Sequence, residues 1–267
     1  MEKMYGKYAI INDEIINANE YENKSGQVAI YEVVRARNGH LSFLKEHYDR
    51  FLNGMKKFSM PIISFEEFRD TLYELLEING IKDHNTKIIY DKDEKGEYRL
   101  LAFLSKSQFP TKRDYEEGVR ASILYIERED PNLKTIREDY IKRLDENLKE
   151  NNSFEAIIVD RNNIVKEGGR SNFFMIKDDK LYTASSDDVL MGIIRSKVYE
   201  ICYKFNIEII EKDIYLDELK DASALFFTGT GKDVLPIRYI DDFEILSSKN
   251  QILIKIIEEF NKLAEGR

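Results

Sequence analysis

Lys134 stands where a charged turn ending in Pro131 gives way to helical spacing, with Ile136, Tyr140, Leu144 and Leu148 recurring every four residues. A helix N-terminus disfavours a nearby ammonium, which would draw a lysine's pKa toward neutrality and ready its amine for imine formation. The competing reading is a surface lysine, the commoner fate in a chain this rich in them. Glu167-Gly168-Gly169 sets a carboxylate beside two glycines that permit close backbone approach to a ligand. Gly192-Ile193-Ile194-Arg195 opens an amphipathic helix bearing Ile194, Val198, Ile201 and Phe205, and its first amides are donors for an anion. Thr228-Gly229-Thr230-Gly231 is a hydroxyl- and glycine-rich turn suited to phosphate oxygens. A lysine for an imine, an acid for a ring nitrogen and a helix start for a phosphate are three parts that a pyridoxal phosphate site needs.

Two further groups lie nearer the N-terminus. Strand alternation puts Tyr31, Val33, Arg35 and Arg37 on one face, where an aromatic and two guanidinium groups could grip a carboxylate. An edge strand with a solvated basic face is the alternative, and spacing alone favours it. Arg50 lies three residues after His47 at the edge of an apolar helical stripe of Leu44, His47, Phe51 and Met55. Its planar fork suits phosphate. A snorkelling arginine paired with a surface carboxylate is the commoner arrangement.

Composition removes several chemistries. The net charge of −9 argues against a nucleic-acid partner. No apolar run approaches the ~18 residues of a membrane span, and no signal peptide is evident at the N-terminus, so a cytoplasmic protein is expected. Three histidines and one cysteine supply a metal site poorly, and none is expected. No nucleophile elbow, dinucleotide fingerprint or phosphate loop is present. Cys202 reads as a buried small apolar residue.

The elements that must position these residues follow from periodicity. A hairpin over 7–17 turns at Asn12-Asp13, and a strand over 28–37 ends at Asn38-Gly39. Helices are expected over 43–58 and 64–79, the second capped by Ser64, with Glu67 completing a capping box and Gly80 as its stop. Strands over 86–90 and 98–104 close a small α/β domain, residues 1–107. The polar stretch 108–113 holds one of only four prolines and reads as a linker. A larger domain, 114–267, alternates strands (119–126, 154–160, 173–176, 180–183, 207–210, 223–227, 234–239) with helices over 135–151, from 192 and over 250–263, plus a short one over 216–220.

Taken singly these signals are weak, but their order is specific. Tyr31-Glu32-Val33-Val34-Arg35, Glu46-His47-Tyr48-Asp49-Arg50, Lys134, Glu167-Gly168 with Ser171-Asn172, Gly192-Ile193 with Arg195, and Thr228-Gly229-Thr230 together resemble the class IV aminotransferases. These are the fold-type IV pyridoxal phosphate enzymes: branched-chain and D-amino acid aminotransferases and aminodeoxychorismate lyase. The resemblance implies an α/β fold of the α+β type, with a small N-terminal α/β domain and a larger C-terminal pseudo-barrel, paired as a homodimer. It implies pyridoxal 5'-phosphate as cofactor and Lys134 as the Schiff-base lysine. Glu167 would face the pyridine nitrogen. Arg50, the Ile193 and Ile194 amides and Thr230 would hold the phosphate. Tyr31, Arg35 and Gly231 would line the substrate pocket.

The sequence also departs from that pattern. Arg137 and Asp139 stand where the family commonly has asparagine and tyrosine, which leaves Tyr140 as the candidate to meet the cofactor's phenolic oxygen. Ile194 replaces a common threonine, keeping the amide and losing a hydroxyl. No Arg-x-His carboxylate trap lies between 91 and 110, which weighs against a D-amino acid substrate. The leading expectation is an aminotransferase acting between an amino acid, a branched-chain one among the candidates, and a 2-oxo acid. The alternative is aminodeoxychorismate lyase, which releases 4-aminobenzoate and pyruvate. A cofactor-binding protein without catalysis is a third reading.

Overall fold

The computed structural model describes residues 4–21, 29–93, 95–107, 109–127 and 138–264, which fall into two compact units, one within 1–108 and one within 109–264.

The first unit is an antiparallel sheet with two helices on one face. Its strands are β1 (Tyr5–Ile11), β2 (Glu14–Asn17), β3 (Ile30–Arg37), β4 (His40–Leu41), β5 (His84–Lys92) and β6 (Tyr98–Leu104), in the order β2-β1-β6-β5-β3-β4. Helices α1 (Leu44–Lys57) and α2 (Phe65–Asn79) follow β4. The apolar stripe of α1 buries His47, Tyr48, Phe51 and Met55, and α2 buries Phe68, Leu72, Leu75 and Leu76. These side chains meet Ile30, Val34, Ile88 and Ala102 from the sheet in one core. The opposite face carries a smaller cluster of Ala9, Ile89, Leu101 and Phe103. Ser64 accepts the Glu67 amide at 3.1 Å, the Ser64 half of the expected capping box, and Gly80 takes the left-handed conformation at φ 62° that ends α2.

The second unit begins with α3 (Lys112–Glu117), whose first residues fall in the stretch read as linker. Thr111 and Asp114 cap it reciprocally: the Thr111 hydroxyl accepts the Asp114 amide while the Asp114 carboxylate accepts the Thr111 amide. The strands are β7 (Val119–Tyr125), β8 (Glu155–Val159), β9 (Ile164–Gly168), β10 (Asn172–Lys177), β11 (Lys180–Thr183), β12 (Ile209–Glu211), β13 (Ile214–Tyr215), β14 (Ala224–Gly229), β15 (Asp233–Ile240) and β16 (Phe243–Glu244). They run β12-β11-β10-β14-β15-β7-β8-β9-β13, with β16 beside β15. A bridge between Gly168 and Ser171 joins the end of β9 to the start of β10, so the path from β10 to β9 curls back on itself. Its inner side chains, Val119, Ile157, Val165, Phe173, Phe227 and Leu235 among them, form one core, as a pseudo-barrel requires.

Helices cover the outside. Between β7 and β8, α4 (Glu138–Glu150) lays Tyr140, Leu144 and Leu148 on Leu124, Ala156 and Ile158. Outside β10 and β14, α5 (Ile193–Lys204) sets Tyr199 edge-on to Phe174, which stacks on Phe226 with centroids 5.0 Å apart. The last helix, α6 (Gln251–Ala264), buries Leu253, Ile256 and Phe260. The short helix expected over 216–220 is present as a 3-10 helix, Leu216–Asp221. No helix among the described residues is long and apolar enough to cross a membrane.

Candidate active site

In the first unit Arg50 finds its anion within the chain. Glu32 lies on the buried phase of β3 and is 1% exposed. Arg50 Nε donates to Glu32 Oε1 and Nη2 to Oε2, both at 2.7 Å. This bidentate fork fixes the plane of the guanidinium. His47 Nδ1 stands 2.7 Å from the same Oε2. An ionised carboxylate only accepts, so Nδ1 carries the hydrogen and donates. The partner expected for a structural arginine was a surface carboxylate; the one observed is buried.

Tyr31 and Arg35 lie on the other face of β3, in its half-buried phase. Lys87, mostly buried on neighbouring β5, places Nζ 4.4 Å from the Tyr31 ring centroid. Burial lowers the His84 pKa, with the nearby Arg35 charge adding to it against a hydrogen bond to the Ser105 backbone. Arg35, Arg37 and Lys87 thus gather positive charge on one sheet face of a chain whose net charge is −9. Arg99 is bound by Asp91 through two hydrogen bonds of 2.9 and 2.6 Å.

In the second unit three chain segments converge on Ser171 and Asn172. The first is the end of β9, where Glu167 is 4% exposed and shares by alternation the inward face of Val165. The glycines after it are held closely. The Gly169 amide donates to Ala156 O at 2.9 Å, and Tyr140 Oη donates to Gly169 O at 2.8 Å. A Cβ on Gly169 would come within 2.4 Å of Leu144 Cδ1 and 2.9 Å of Glu155 Oε1, so only glycine fits.

The second segment is the start of α5. Gly192 is its N-cap and has no side chain to cap it, and no acidic residue lies in its first turn. The leading amides of a helix, here those of Ile193 and Ile194 among them, have no acceptor within the helix and can meet an anion. Asn172 anchors this approach by donating Nδ2 to Leu190 O at 2.7 Å. Arg195, fully buried, holds the preceding loop through Nη2, which donates to Ala184 O at 2.8 Å and Tyr199 Oη at 3.0 Å. Glu211 accepts from Tyr199 Oη at 2.6 Å and from the Ser186 amide at 2.7 Å. Burial, then this bond to Glu211, pushes the Tyr199 pKa up to about 12.

The third segment is the turn from β14 to β15. Thr228 pairs with Asn172 across the sheet, and its buried Oγ1 has no hydrogen-bond partner among the described residues. Thr230 and Gly231 are half-buried in the turn, which the Lys232 amide closes on Gly229 O at 2.9 Å. Tyr115 of α3 supports it from outside, donating to Lys232 O at 3.0 Å.

The fold thus brings Glu167, the Ile193 and Ile194 amides and Thr230 into one neighbourhood of the second unit, while Arg50, Tyr31 and Arg35 belong to the first. Lys134 lies outside the described residues. No cluster of metal-ligating side chains is found among those described. The sequence reading assigned no role to Glu32, Glu155, Asn172 or Lys232. A signal existed for Glu32, which falls in phase with Ile30, Val34 and Ala36, where a carboxylate must be paired. Asn172 stood in the motif that carries the family resemblance but with no role, and Lys232 gave no signal, because their partners are set by strand register and turn geometry.

An uncapped helix start, an unpartnered threonine hydroxyl and a buried carboxylate fit a ligand with a phosphate at one end and a basic ring nitrogen at the other. The amino-transferase class IV family model matches residues 29–240. A putative branched-chain-amino-acid aminotransferase from Methanocaldococcus jannaschii is 26% identical over 88% of this chain and 86% of its own length. A D-alanine aminotransferase from Bacillus licheniformis is 28% identical over 86% of this chain and 84% of its own. The crystal structure of a branched-chain aminotransferase from Thermoproteus uzoniensis shares the fold, with a TM-score of 0.84 at 22% identity, covering 98% of this chain and 96% of that one. The chain belongs to the class IV aminotransferase family.

Proposed function

We propose that the chain is a pyridoxal 5'-phosphate-dependent aminotransferase that moves an amino group between an amino acid, a branched-chain one among the candidates, and a 2-oxo acid. The convergence of the Glu167 strand end, the uncapped start of α5 and the Thr228–Lys232 turn on Ser171 and Asn172 carries this reading. Pyridoxal phosphate, when bound, supplies an electron-accepting ring and an aldehyde that takes up the amino group. Glu167 holds a proton at the ring nitrogen, an exchange its burial strengthens. The Ile193 and Ile194 amides and Thr230 bind the phosphate, and Arg50, its fork oriented by Glu32, adds charge to that end. Lys134 is the covalent anchor and the group that moves the proton at the substrate Cα, as general base and then acid. Tyr31 and Arg35 orient the substrate, and Gly231 leaves room beside it. The family resemblance also supports a homodimer working in the cytoplasm.

The test is reconstitution with pyridoxal phosphate. A visible absorbance band that borohydride abolishes, with the reduced label on Lys134, is expected. So is turnover of amino donors with 2-oxoglutarate as acceptor. No donor turnover, but release of pyruvate and 4-aminobenzoate from aminodeoxychorismate, would move the assignment to the lyase. A band without either turnover would leave a binding protein. Light scattering on the purified chain checks the dimer.

A further inference from the structure

Glu155, on β8, is 1% exposed, and its carboxylate is the meeting point of two loops. Its Oε2 accepts the Arg170 amide at 3.2 Å and Ser171 Oγ at 3.0 Å, both from the loop that follows Glu167. Its Oε1 accepts the Ala156 amide at 3.0 Å. The fourth partner comes from far along the chain: Lys232 Nζ, 2.9 Å from Oε2, from the turn that carries Thr230. The Lys232 side chain is only 15% exposed, so its stem and ammonium lie within the fold rather than in solvent. Burial alone would raise the Glu155 pKa, but Lys232, then the Ala156 amide and the Arg170 charge, bring it below the ordinary carboxylate value.

Four donors, three on Oε2 and one on Oε1, thus bind this carboxylate to the two loops and to its own strand. A buried ion pair with this many donors holds its partners in one arrangement, whereas removal of one partner leaves an uncompensated charge. Neither residue is among those that would touch the ligand in the proposed site. Resting on the function proposed above, we infer that the Glu155–Lys232 pair is a positioning device that fixes the separation between Glu167 and Thr230, and so matches the site to the length of a ring-plus-phosphate ligand. The Asn172–Thr228 strand pairing holds one end of the Thr228–Lys232 turn, the Lys232–Gly229 bond closes it and Tyr115 supports its outer side; the ammonium adds a side-chain tie from its far end to the carboxylate that holds the loop after Glu167.

The experiment measures the pyridoxal phosphate dissociation constant and the thermal midpoint of the cofactor-free chain for wild type, Lys232→Met, Lys232→Arg, Glu155→Gln and the Glu155→Gln/Lys232→Met double variant. Lys232→Met and Glu155→Gln should each weaken cofactor binding by about tenfold or more, Lys232→Arg should restore most of it, and the double variant should lose far less than the product of the two. The double variant carries no orphaned charge, so it reports on binding even if a single variant folds poorly. Affinity unchanged in both single variants, at a temperature where all remain folded, overturns the inference. Weakening in Lys232→Met with none in Glu155→Gln also overturns it, by giving Lys232 a direct ligand contact instead. A wild-type chain that takes up no cofactor overturns the proposed function and this inference together; a cofactor-binding wild type beside unaffected variants overturns this one alone.

Discussion

Arg50 and Glu32 sit 18 residues apart in sequence, yet their two parallel hydrogen bonds are both 2.7 Å long and join α1 to β3. His47 shares the same carboxylate from one turn earlier in α1. Two donors that face a buried acid cannot spare it. Glu32→Leu should therefore cost about 3–5 kcal/mol of stability, the penalty for stranding buried charge. Glu32→Gln keeps one acceptor and should cost less. The urea midpoints of the two variants check the order. Cofactor affinity should fall with both, because Arg50 would no longer be held in plane. A Glu32→Leu chain as stable as wild type would show that the pair contributes little.

Gly192 offers a sharper test at the start of α5. A Cβ there would lie 2.2 Å from Asn172 Oδ1, which must move and would release its bond to Leu190 O. Gly192→Ala should cost about 1–2 kcal/mol, mostly the lost hydrogen bond. It should also weaken cofactor binding, since the amides of Ile193 and Ile194 follow directly. Asn172→Ala removes the obstacle, so the double variant should be less damaged than the sum of the two singles. Additive losses would mean that the contact does not constrain the helix start.

The extent to which the sequence announced this arrangement depends on the range of each interaction. Local signals held well. The Asn12-Asp13 and Asn38-Gly39 turns, the buried stripe of α1, the stop at Gly80 and the two faces of β3 all appear where periodicity placed them. One local signal was overlooked: Thr111 with Asp114 three residues on is itself a capping box, and it starts α3 within the presumed linker. Nonlocal partners were out of reach. Arg50 was read as seeking an anion, but nothing in its own helix says that Glu32 supplies one from a strand. Likewise Glu155 shows in sequence only as the first residue of an apolar run, while its role depends on the return of a turn more than 70 residues later.

Tyr140 is the sequence's candidate for the cofactor's phenolic oxygen, and its hydroxyl donates to Gly169 O. Tyr140→Phe should cost about 1 kcal/mol, the net value of one hydrogen bond. Where the Gly169 bond is the hydroxyl's whole role, the visible band of the bound cofactor should keep its position and its pH dependence. Stability from urea melts and the absorbance titration separate the two roles. A shifted band with unchanged stability would return Tyr140 to the ligand.

Cys202, the chain's one cysteine, is fully buried in α5, and burial pushes its pKa up to about 12 from 9.0. The thiolate is the reactive form, so the native chain should label slowly with a thiol reagent at neutral pH, and fast once unfolded in urea. The linkage has a definite sign. A group whose folded pKa is raised stabilises fully below its unfolded value, and that contribution is lost as pH climbs through the folded value. Cys202→Ala should therefore cost about 1 kcal/mol at neutral pH, through a small cavity. The gap from wild type should then narrow as the pH rises from 9.0 toward about 12, because only wild type has a thiol to ionise. Rapid stoichiometric labelling of the folded chain, or a gap that widens with pH, would show that the thiol is not sealed beneath α5.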